Sequence, residues 1–259
     1  MNEVNKTLYI PLYGKAFVSK KGLFLKDEAA EKIWDKEGFA LKGKAKSKYL
    51  AYYMGIRALV FDNWVKQKIA ESKDTAIIHI GCGLDSRVLR INASNHMWYD
   101  VDFPQVIEER KKHYSENASY KMIGADVREN WLTSVNESKN AIVIMEGVSM
   151  YLTPQELINL TQSFSEHFEH VSILMDCYSN FAAKMSKYKN PVNNVGVTRL
   201  YGIDSPKQLE KGQLNFVKEH TMIPQEYIGE LKGFEKHIFA KLYAGSISKK
   251  LYRLLEYEK

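Results

Sequence analysis

Short apolar segments, rich in β-branched residues, alternate with amphipathic stretches along most of the chain. Most of these segments are continuously apolar, which is typical of strands buried on both faces of a parallel sheet. The stretches between them have helical periodicity, so we expect an α/β fold with a mostly parallel sheet and helices on both faces. Seven segments are predicted to be strands, the last two from a less regular pattern: Thr75–Ile80, Met97–Val101, Tyr120–Ile123, Ala141–Met145, Val171–Met175, Gln213–Ile223 and Leu251–Tyr257.

The amino-terminal part of the chain has helical periodicity without strand signals. Asp27–Glu37 and Tyr49–Ile69 each place apolar side chains on one helical face. Residues 1–70 are therefore expected to form a helical extension or lid, and residues 71–259 the α/β core. Segment 180–212, rich in Lys, Asn, Gly and Pro, is expected to be an insertion in that core. A length of 259 residues is consistent with one large domain that spans the whole chain.

Four successive predicted strands end in residues that could bind a ligand. The first strand is followed by Gly81, Cys82 and Gly83, and the next three by Asp102, Asp126 and Glu146. Because the carboxyl ends of parallel strands meet at one edge of a sheet, these residues are expected to share a site. Asp102 follows Gly83 by 19 positions, which is close to the spacing of about 20 between a glycine turn and a ribose-binding acid.

The glycine turn favours a nucleoside ligand over a dinucleotide. The residues after Gly83 are Leu84–Arg87, so the third glycine that brings backbone close to a pyrophosphate is missing. This argues against a nicotinamide-dependent oxidoreductase, which we keep as an alternative. Asp102 could accept hydrogen bonds from ribose hydroxyls, Asp126 could accept one from an adenine amino group, and Glu146 could meet an ammonium group. These are the requirements of S-adenosyl-L-methionine (SAM).

The four strand-end motifs, taken in order, resemble those of a known enzyme family. They are Ile80–Arg87, Tyr99–Pro104, Ala125–Arg128 and Met145–Leu152. The set is similar to the leucine carboxyl methyltransferase and tetracenomycin-type polyketide O-methyltransferase family. Upstream, Arg57 followed by Asp62 resembles the Arg-x-x-x-x-Asp helix of the family, and the resemblance extends over about residues 8–180.

The resemblance implies a Rossmann-like, seven-stranded methyltransferase core that binds SAM and releases S-adenosyl-L-homocysteine. It implies that Gly81 and Gly83 cradle the methionine part of the cofactor, with Glu146 at the same end. Arg57 would pair with the methionine carboxylate, a task suited to a guanidinium that can donate two parallel hydrogen bonds. Cys82 departs from the small residue that is usual at its position in the family, but it lies in the cofactor turn.

The resemblance also assigns the adenosine end of the cofactor. Asp102 would hold the ribose and Asp126 the adenine, and the adjacent Val127 is also expected to bind the cofactor. Val127 stands where the family usually has Leu, and Asp100 where it usually has Glu.

The family implies transfer of a methyl group to a carboxylate or phenolic oxygen. A carboxylate is ionised at neutral pH and needs no base, whereas a phenol would benefit from one. Tyr151, Asp176 and Tyr178 are the candidate bases, and Tyr151 is preferred because it lies in a matched motif. A small molecule of polyketide type is the expected methyl acceptor, and a protein acceptor is a less favoured option. A SAM-binding protein without catalytic activity is a further alternative.

Composition and charge limit the partners and the location. The net charge is +6, but the 30 Lys and 7 Arg are scattered among 31 acids, so neither a nucleic acid nor a membrane is expected as a partner. The apolar runs are shorter than the ~20 residues needed to span a bilayer. Two cysteines and no secretory pattern indicate the cytoplasm. His167 and His170 lack a third nearby ligand, so no metal is expected.

Overall fold

Seven strands form a single sheet in the part of the chain described by this computed structural model, residues 8–38, 40–41, 43–72, 74–93, 95–135, 138–189 and 199–259. The strands are β1 (Thr75–Ile80), β2 (Trp98–Asp102), β3 (Tyr120–Gly124), β4 (Asn140–Met145), β5 (His170–Tyr178), β6 (Asn215–His220) and β7 (Tyr252–Glu258). Their order is β3-β2-β1-β4-β5-β7-β6. Strands β1 to β5 are mutually parallel, whereas β7 is antiparallel to both β5 and β6. The predicted seven-stranded, mostly parallel sheet is therefore confirmed.

Ten α-helices are described around this sheet. They are α1 (Tyr9–Lys20), α2 (Glu28–Glu37), α3 (Lys48–Glu71), α4 (Arg87–Arg90), α5 (Pro104–Arg110), α6 (Pro154–His167), α7 (Asn180–Lys189), α8 (Gln225–Glu230), α9 (Gly233–Phe239) and α10 (Ser246–Leu251). A short π-helix, Ala240–Ala244, joins α9 to the segment before α10. The start of α6 shows how sequence fixes such a boundary. Thr153 and Glu156 form a capping box and Pro154 occupies the first turn.

The two faces of the sheet are covered by two hydrophobic clusters. Successive residues of β1 point to opposite faces, so Ile77 belongs to one cluster and Ile78 to the other. The cluster of Ile77 includes Ile56 and Phe61 from α3, both fully buried. The cluster of Ile78 includes Phe164 from α6. The amino-terminal helices thus supply one of the two layers that bury the sheet.

Buried ion pairs also join these helices to the segment after β1. Three such pairs connect them: Lys15–Asp85 at 2.9 Å, Asp27–Arg90 at 2.7 Å and Asp62–Arg87 at 2.6 Å. All six side chains are less than one-tenth exposed. Because breaking a buried pair leaves an uncompensated charge, these contacts hold the helices firmly against the glycine turn.

The described ends of segment 180–212 are helical. Helix α7 begins at Asn180, and a 3₁₀ helix covers Pro206–Gly212; residues 190–198 lie outside the described residues. Across all described helices, none combines the length and the apolar character needed to cross a membrane.

Candidate active site

The predicted ligand residues meet at the carboxyl edge of the parallel strands. Ile80 of β1 is in register with Val101 of β2 and with Met145 of β4. The glycine turn, Asp102 and Glu146 therefore leave the sheet at the same level. Parallel strands without a stagger place their loops side by side, which is where open α/β sheets bind their ligands.

The glycine turn has a backbone that only glycine adopts readily. Gly81 has a φ of +63° and Gly83 a φ of +52°. A Cβ atom on Gly81 would lie 2.3 Å from Cγ2 of Val148, so no side chain fits there. The backbone N–H of Gly83 donates to Oδ2 of Asp102 at 2.9 Å, and Arg110 Nη1 donates to the Gly83 carbonyl at 2.9 Å. The turn therefore has no side chain at its two glycines, and hydrogen bonds to Asp102 and Arg110 hold its backbone in place.

Asp102 is held in place by backbone donors on both of its oxygens. Besides the Gly83 bond, Oδ1 accepts from the Phe103 N–H at 2.8 Å. Burial raises the pKa of Asp102 to about 6 even though both N–H groups favour the ionised form. A carboxylate has about four acceptor sites, so two remain for the hydroxyls of a ribose. The geometry is compatible with the predicted role.

Asp126 makes its bonds to a neighbouring arginine. Its Oδ1 accepts from the Arg128 backbone N–H at 3.0 Å and from Arg128 Nε at 2.8 Å. The hydrogen bond to the Arg128 side chain lowers the pKa of Asp126. An adenine amino group would have to share these oxygens with Arg128, so the adenine role of Asp126 stays a prediction. Val127 packs against the cluster that contains Ile78.

Glu146 lies in a buried network of charges at the other end of the site. Its Oε1 accepts from Arg57 Nε at 2.9 Å, and its Oε2 accepts from Arg87. Burial would raise the pKa of Glu146, but Arg57 and Arg87 outweigh this effect and lower it to about 2. Glu146 is therefore ionised, and its negative charge is already matched by two guanidinium groups.

Arg57 joins Glu146 to a second buried acid. Its Nη1 donates to Asp176 Oδ2 at 3.2 Å and lies 3.0 Å from the Tyr252 hydroxyl, which itself donates to Asp176 at 2.5 Å. Burial raises the pKa of Asp176 despite these partners. Arg57 is only 5% exposed, so it does not occupy a surface position.

The remaining terminal nitrogen of Arg57 is available for a ligand. Among the described residues, Nη2 has no hydrogen-bond acceptor, and it lies beside Gly147, whose φ is +74°. A Cβ atom on Gly147 would lie 3.5 Å from this nitrogen. The predicted contact between Arg57 and the methionine carboxylate is compatible with this geometry and stays a prediction.

A cavity of about 910 Å³ lies over this edge of the sheet. Its polar end contains the turn Gly81–Gly83, Arg57 and Glu146. Its walls are mainly apolar and aromatic and come from α1, α3, α7, the π-helix and α10. Asp102 and Asp126 are not among the described residues that line it. The large cavity therefore adjoins the predicted methionine end, where a methyl acceptor would have to lie.

Tyr151 lines this cavity and is 38% exposed. Partial removal of its hydroxyl from water, with Tyr178 nearby, raises the pKa of Tyr151 above its usual value. It therefore stays protonated at neutral pH. A protonated phenol can donate a hydrogen bond to an acceptor molecule but cannot take its proton, so the structure favours a donor role over the predicted base.

Sequence reasoning missed three charged side chains of this site. Lys15, Asp85 and Arg87 are each less than one-tenth exposed and belong to the same network as Glu146. Asp85 and Arg87 directly follow the glycine turn, where charged residues on a short helix would ordinarily be assigned to solvent. Their sequence signal was their place in the motif Ile80–Arg87, from which no role was assigned to them.

Histidine and cysteine side chains near the site offer little chemistry. His79 is 1% exposed, its Nε2 lies 3.1 Å from Arg87 Nη1, and burial lowers its pKa. Burial also raises the pKa of the Cys82 thiol, which makes it a poor nucleophile. Within the described residues, no group of three or more potential metal ligands is found.

Comparisons with known proteins decide the family. A family model for leucine carboxyl methyltransferase matches residues 3–165. The chain belongs to the leucine carboxyl methyltransferase family. It is therefore a SAM-dependent methyltransferase, and SAM is its cofactor. The alternatives of a nicotinamide-dependent oxidoreductase and of a binding protein without activity are not supported.

Two methyltransferases are similar to this chain over most of its length. Tetracenomycin polyketide synthesis O-methyltransferase TcmP of Streptomyces glaucescens is 30% identical over 205 residues, which are 78% of this chain and 76% of that protein. The SAM-dependent methyltransferase dpfgK of Gibberella zeae is 27% identical over 183 residues, 64% of this chain and 61% of that protein.

A solved methyltransferase structure shares the fold. Magnesium protoporphyrin IX methyltransferase (ChlM) from Synechocystis PCC 6803 superposes with a TM-score of 0.51 at 9% identity, over 95% of this chain and 99% of that chain. At such low identity the likeness concerns the fold alone.

Proposed function

We propose that this methyltransferase transfers the SAM methyl group to an oxygen of a small, largely apolar acceptor, and that a carboxylate is the preferred acceptor group. The large apolar cavity beside the glycine turn supports an acceptor of polyketide type, as does the name of the relative TcmP. The acceptor would lie among the apolar walls with its oxygen directed to the polar end.

The site suits the cofactor on several independent counts. The positive φ of Gly81 and Gly83 makes a tight turn without side chains, and the backbone of this turn can lie against the methionine part of the cofactor. Asp102 has acceptor sites left for the ribose, and Nη2 of Arg57 can donate to a carboxylate. We assign the adenine to Asp126 and Val127. Arg128 would then either move away from Asp126 or share its carboxylate oxygens with the adenine amino group. Cys82 contributes its backbone to the turn.

When bound, SAM supplies a methyl group already activated on a sulfonium. The task of the chain is then to align the acceptor oxygen and to exclude water from the cavity. Glu146 keeps a negative charge at the methionine end, where it can face the cofactor ammonium. Tyr151, protonated at neutral pH, can donate a hydrogen bond to the second oxygen of an acceptor carboxylate and so orient it.

One observation carries the preference for a carboxylate: the described cavity lining offers no suitable base. Its two acids, Asp85 and Glu146, are held in buried ion pairs. His79 is buried and contacts the Arg87 guanidinium, and both conditions disfavour protonation of its ring. The charged lining residues that form no ion pair with a described acid are Lys44 and Lys249. A carboxylate needs no deprotonation at neutral pH and is attracted by these cations, whereas a phenol would need a base.

The experiment compares matched acceptors. An aryl carboxylic acid and the phenol of the same ring system are incubated with radiolabelled SAM, and methyl ester and methyl ether are counted separately. We expect the acid to be methylated at a rate that varies little between pH 6.5 and 8.5. Preferential methylation of the phenol, at a rate that rises with pH, would contradict the carboxylate preference. A failure of SAM to bind at all would contradict the assignment of the cofactor site.

A further inference from the structure

Exposed apolar side chains are concentrated around the opening of the active-site cavity. Eight large apolar or aromatic side chains of the described chain are strongly exposed. Four of them line this one cavity: Tyr151, Phe181, Met185 and Leu242, which are 38–65% exposed. A fifth, Ile247, is 73% exposed and directly precedes two lining residues, Ser248 and Lys249. Such clustering differs from the scattered exposed apolar residues that are normal on soluble surfaces.

The segments around this opening carry charges of one sign, and the one described acid that pairs with them is Glu235 of α9, at Lys48. Three segments border it, residues 43–48, 180–186 and 240–251, and together we call them the mouth surface. They contain seven lysines and not a single Asp, Glu or Arg. Six of the lysines are exposed and form no ion pair with any described acid: Lys44, Lys46, Lys184, Lys241, Lys249 and Lys250. Over the whole chain, by contrast, acids nearly balance basic residues, with 31 acidic and 37 basic residues.

The kind of basic residue distinguishes between possible partners. Protein–protein interfaces are enriched in Arg and depleted in Lys. The mouth surface has the opposite composition, with lysines around protruding Phe, Met, Leu and Ile side chains. Apolar side chains that enter the boundary between lipid headgroups and acyl chains, flanked by lysines on the phosphates, are the pattern of a surface that lies on an anionic bilayer.

We propose that the mouth surface docks on anionic lipid bilayers, so that the active-site cavity opens towards the membrane. Phe181, Met185, Leu242 and Ile247 would enter the headgroup boundary while the lysines contact lipid phosphates. The protein would lie on the membrane without spanning it, in contrast to the expectation from sequence that no membrane is a partner. Together with the proposed function, this orientation would let an acceptor that partitions into the bilayer enter the cavity directly.

The test measures binding of the full chain to vesicles and needs no methyl acceptor, so its failure is distinct from a failure of the proposed function. We expect the chain to float with vesicles that contain phosphatidylserine and not with pure phosphatidylcholine, and to be released by salt. Replacing both Lys241 and Lys250 by Gln should lower the partition coefficient between vesicles and water about 25-fold, because each lysine contributes about fivefold. Ile247→Ser should weaken it about tenfold or more.

Matched controls lie away from the mouth surface. Lys66→Gln/Lys121→Gln removes the same charge from two exposed lysines, in α3 and β3, that form no ion pair with a described acid. Leu89→Ser removes an apolar side chain that is 65% exposed and lies outside this cavity. Both controls should bind like the unchanged protein. The proposal would be overturned if mouth-surface and control variants lost vesicle binding equally, or if the unchanged protein did not bind anionic vesicles. It would also be overturned if Ile247→Ser converted a dimer to a monomer in light scattering and left vesicle binding unchanged.

Discussion

Replacing Arg57 should destabilise the protein strongly, because two buried carboxylates depend on it. Arg57 bridges Glu146 and Asp176 with contacts of 2.9 and 3.2 Å. Without it Glu146 keeps Arg87, but the side chain of Asp176, which is fully buried, keeps only the Tyr252 hydroxyl and the Gly147 N–H as partners among the described residues. Removing one partner of a buried pair costs about 3–5 kcal/mol. We therefore expect Arg57→Met to lower the free energy of unfolding by about 3–5 kcal/mol at pH 7.5.

The loss should depend on pH in a defined direction. Without Arg57 the pKa of Asp176 rises further above its value in the unfolded chain. The native variant then holds a proton that the unfolded chain releases, so its stability decreases as pH rises from about 4 through the folded pKa. The difference between Arg57→Met and the unchanged protein should therefore be smaller at pH 5 than at pH 8.

Urea unfolding followed by tryptophan fluorescence measures both effects. Arg57→Met/Asp176→Asn should recover part of the lost stability, because the uncompensated charge is gone. Arg57→Lys should retain much of the stability but bind SAM more weakly than the unchanged protein, since an ammonium cannot form two parallel bonds to a carboxylate. A loss below about 1 kcal/mol that is constant with pH would show that Asp176 and Glu146 do not rely on Arg57.

Three further predictions concern the cofactor and the acceptor. SAM affinity should fall about tenfold from pH 7 to pH 5 as Asp102 is protonated, and a calorimetric titration of Asp102→Asn should show weak binding without this pH step. Gly81→Ala should lower the free energy of unfolding, measured in urea, by about 1–3 kcal/mol. Gly81→Ala/Val148→Ala should regain the part caused by the clash with Val148 but not the part caused by the positive φ of residue 81. Tyr151→Phe should leave SAM affinity unchanged and lower kcat/KM for a carboxylate acceptor about tenfold if Tyr151 donates to it; an unchanged kcat/KM would remove Tyr151 from the acceptor site.

The strand pattern and the strand ends could be predicted from local sequence. Continuous apolar runs such as Thr75–Ile80 identify strands buried on both faces, and all six residues of that run are buried. The order of strands along the chain then brings Asp102 and Glu146 to one edge without any knowledge of side-chain contacts. The family motifs added Arg57, which no local pattern would have placed at the site.

The partners of the charged residues could not be predicted, because they come from distant parts of the chain. Helix α3 was expected to be amphipathic, with apolar side chains on one face. In fact α3 is buried between α1 and the sheet over much of its length. The guanidinium of Arg57 contacts Glu146, which lies 89 positions further along the chain. Similarly, Arg128 donates to the Asp126 oxygens that were predicted to accept from adenine, which the strand-end position alone does not reveal.

The buried charges explain why the amino-terminal helices belong to the working site. The acid that follows the glycine turn, Asp85, is matched by Lys15 from α1, and Glu146 is matched by Arg57 from α3. These two cations neutralise carboxylates directly beside the predicted methionine end. Moving the helices away as a rigid lid would break both pairs and expose apolar surface of the shared cluster. At the mouth surface, by contrast, no such ion pairs to the glycine turn are found among the described residues, and most side chains of α10 are exposed. We therefore expect an acceptor to enter at the mouth surface while the amino-terminal helices keep their ion pairs.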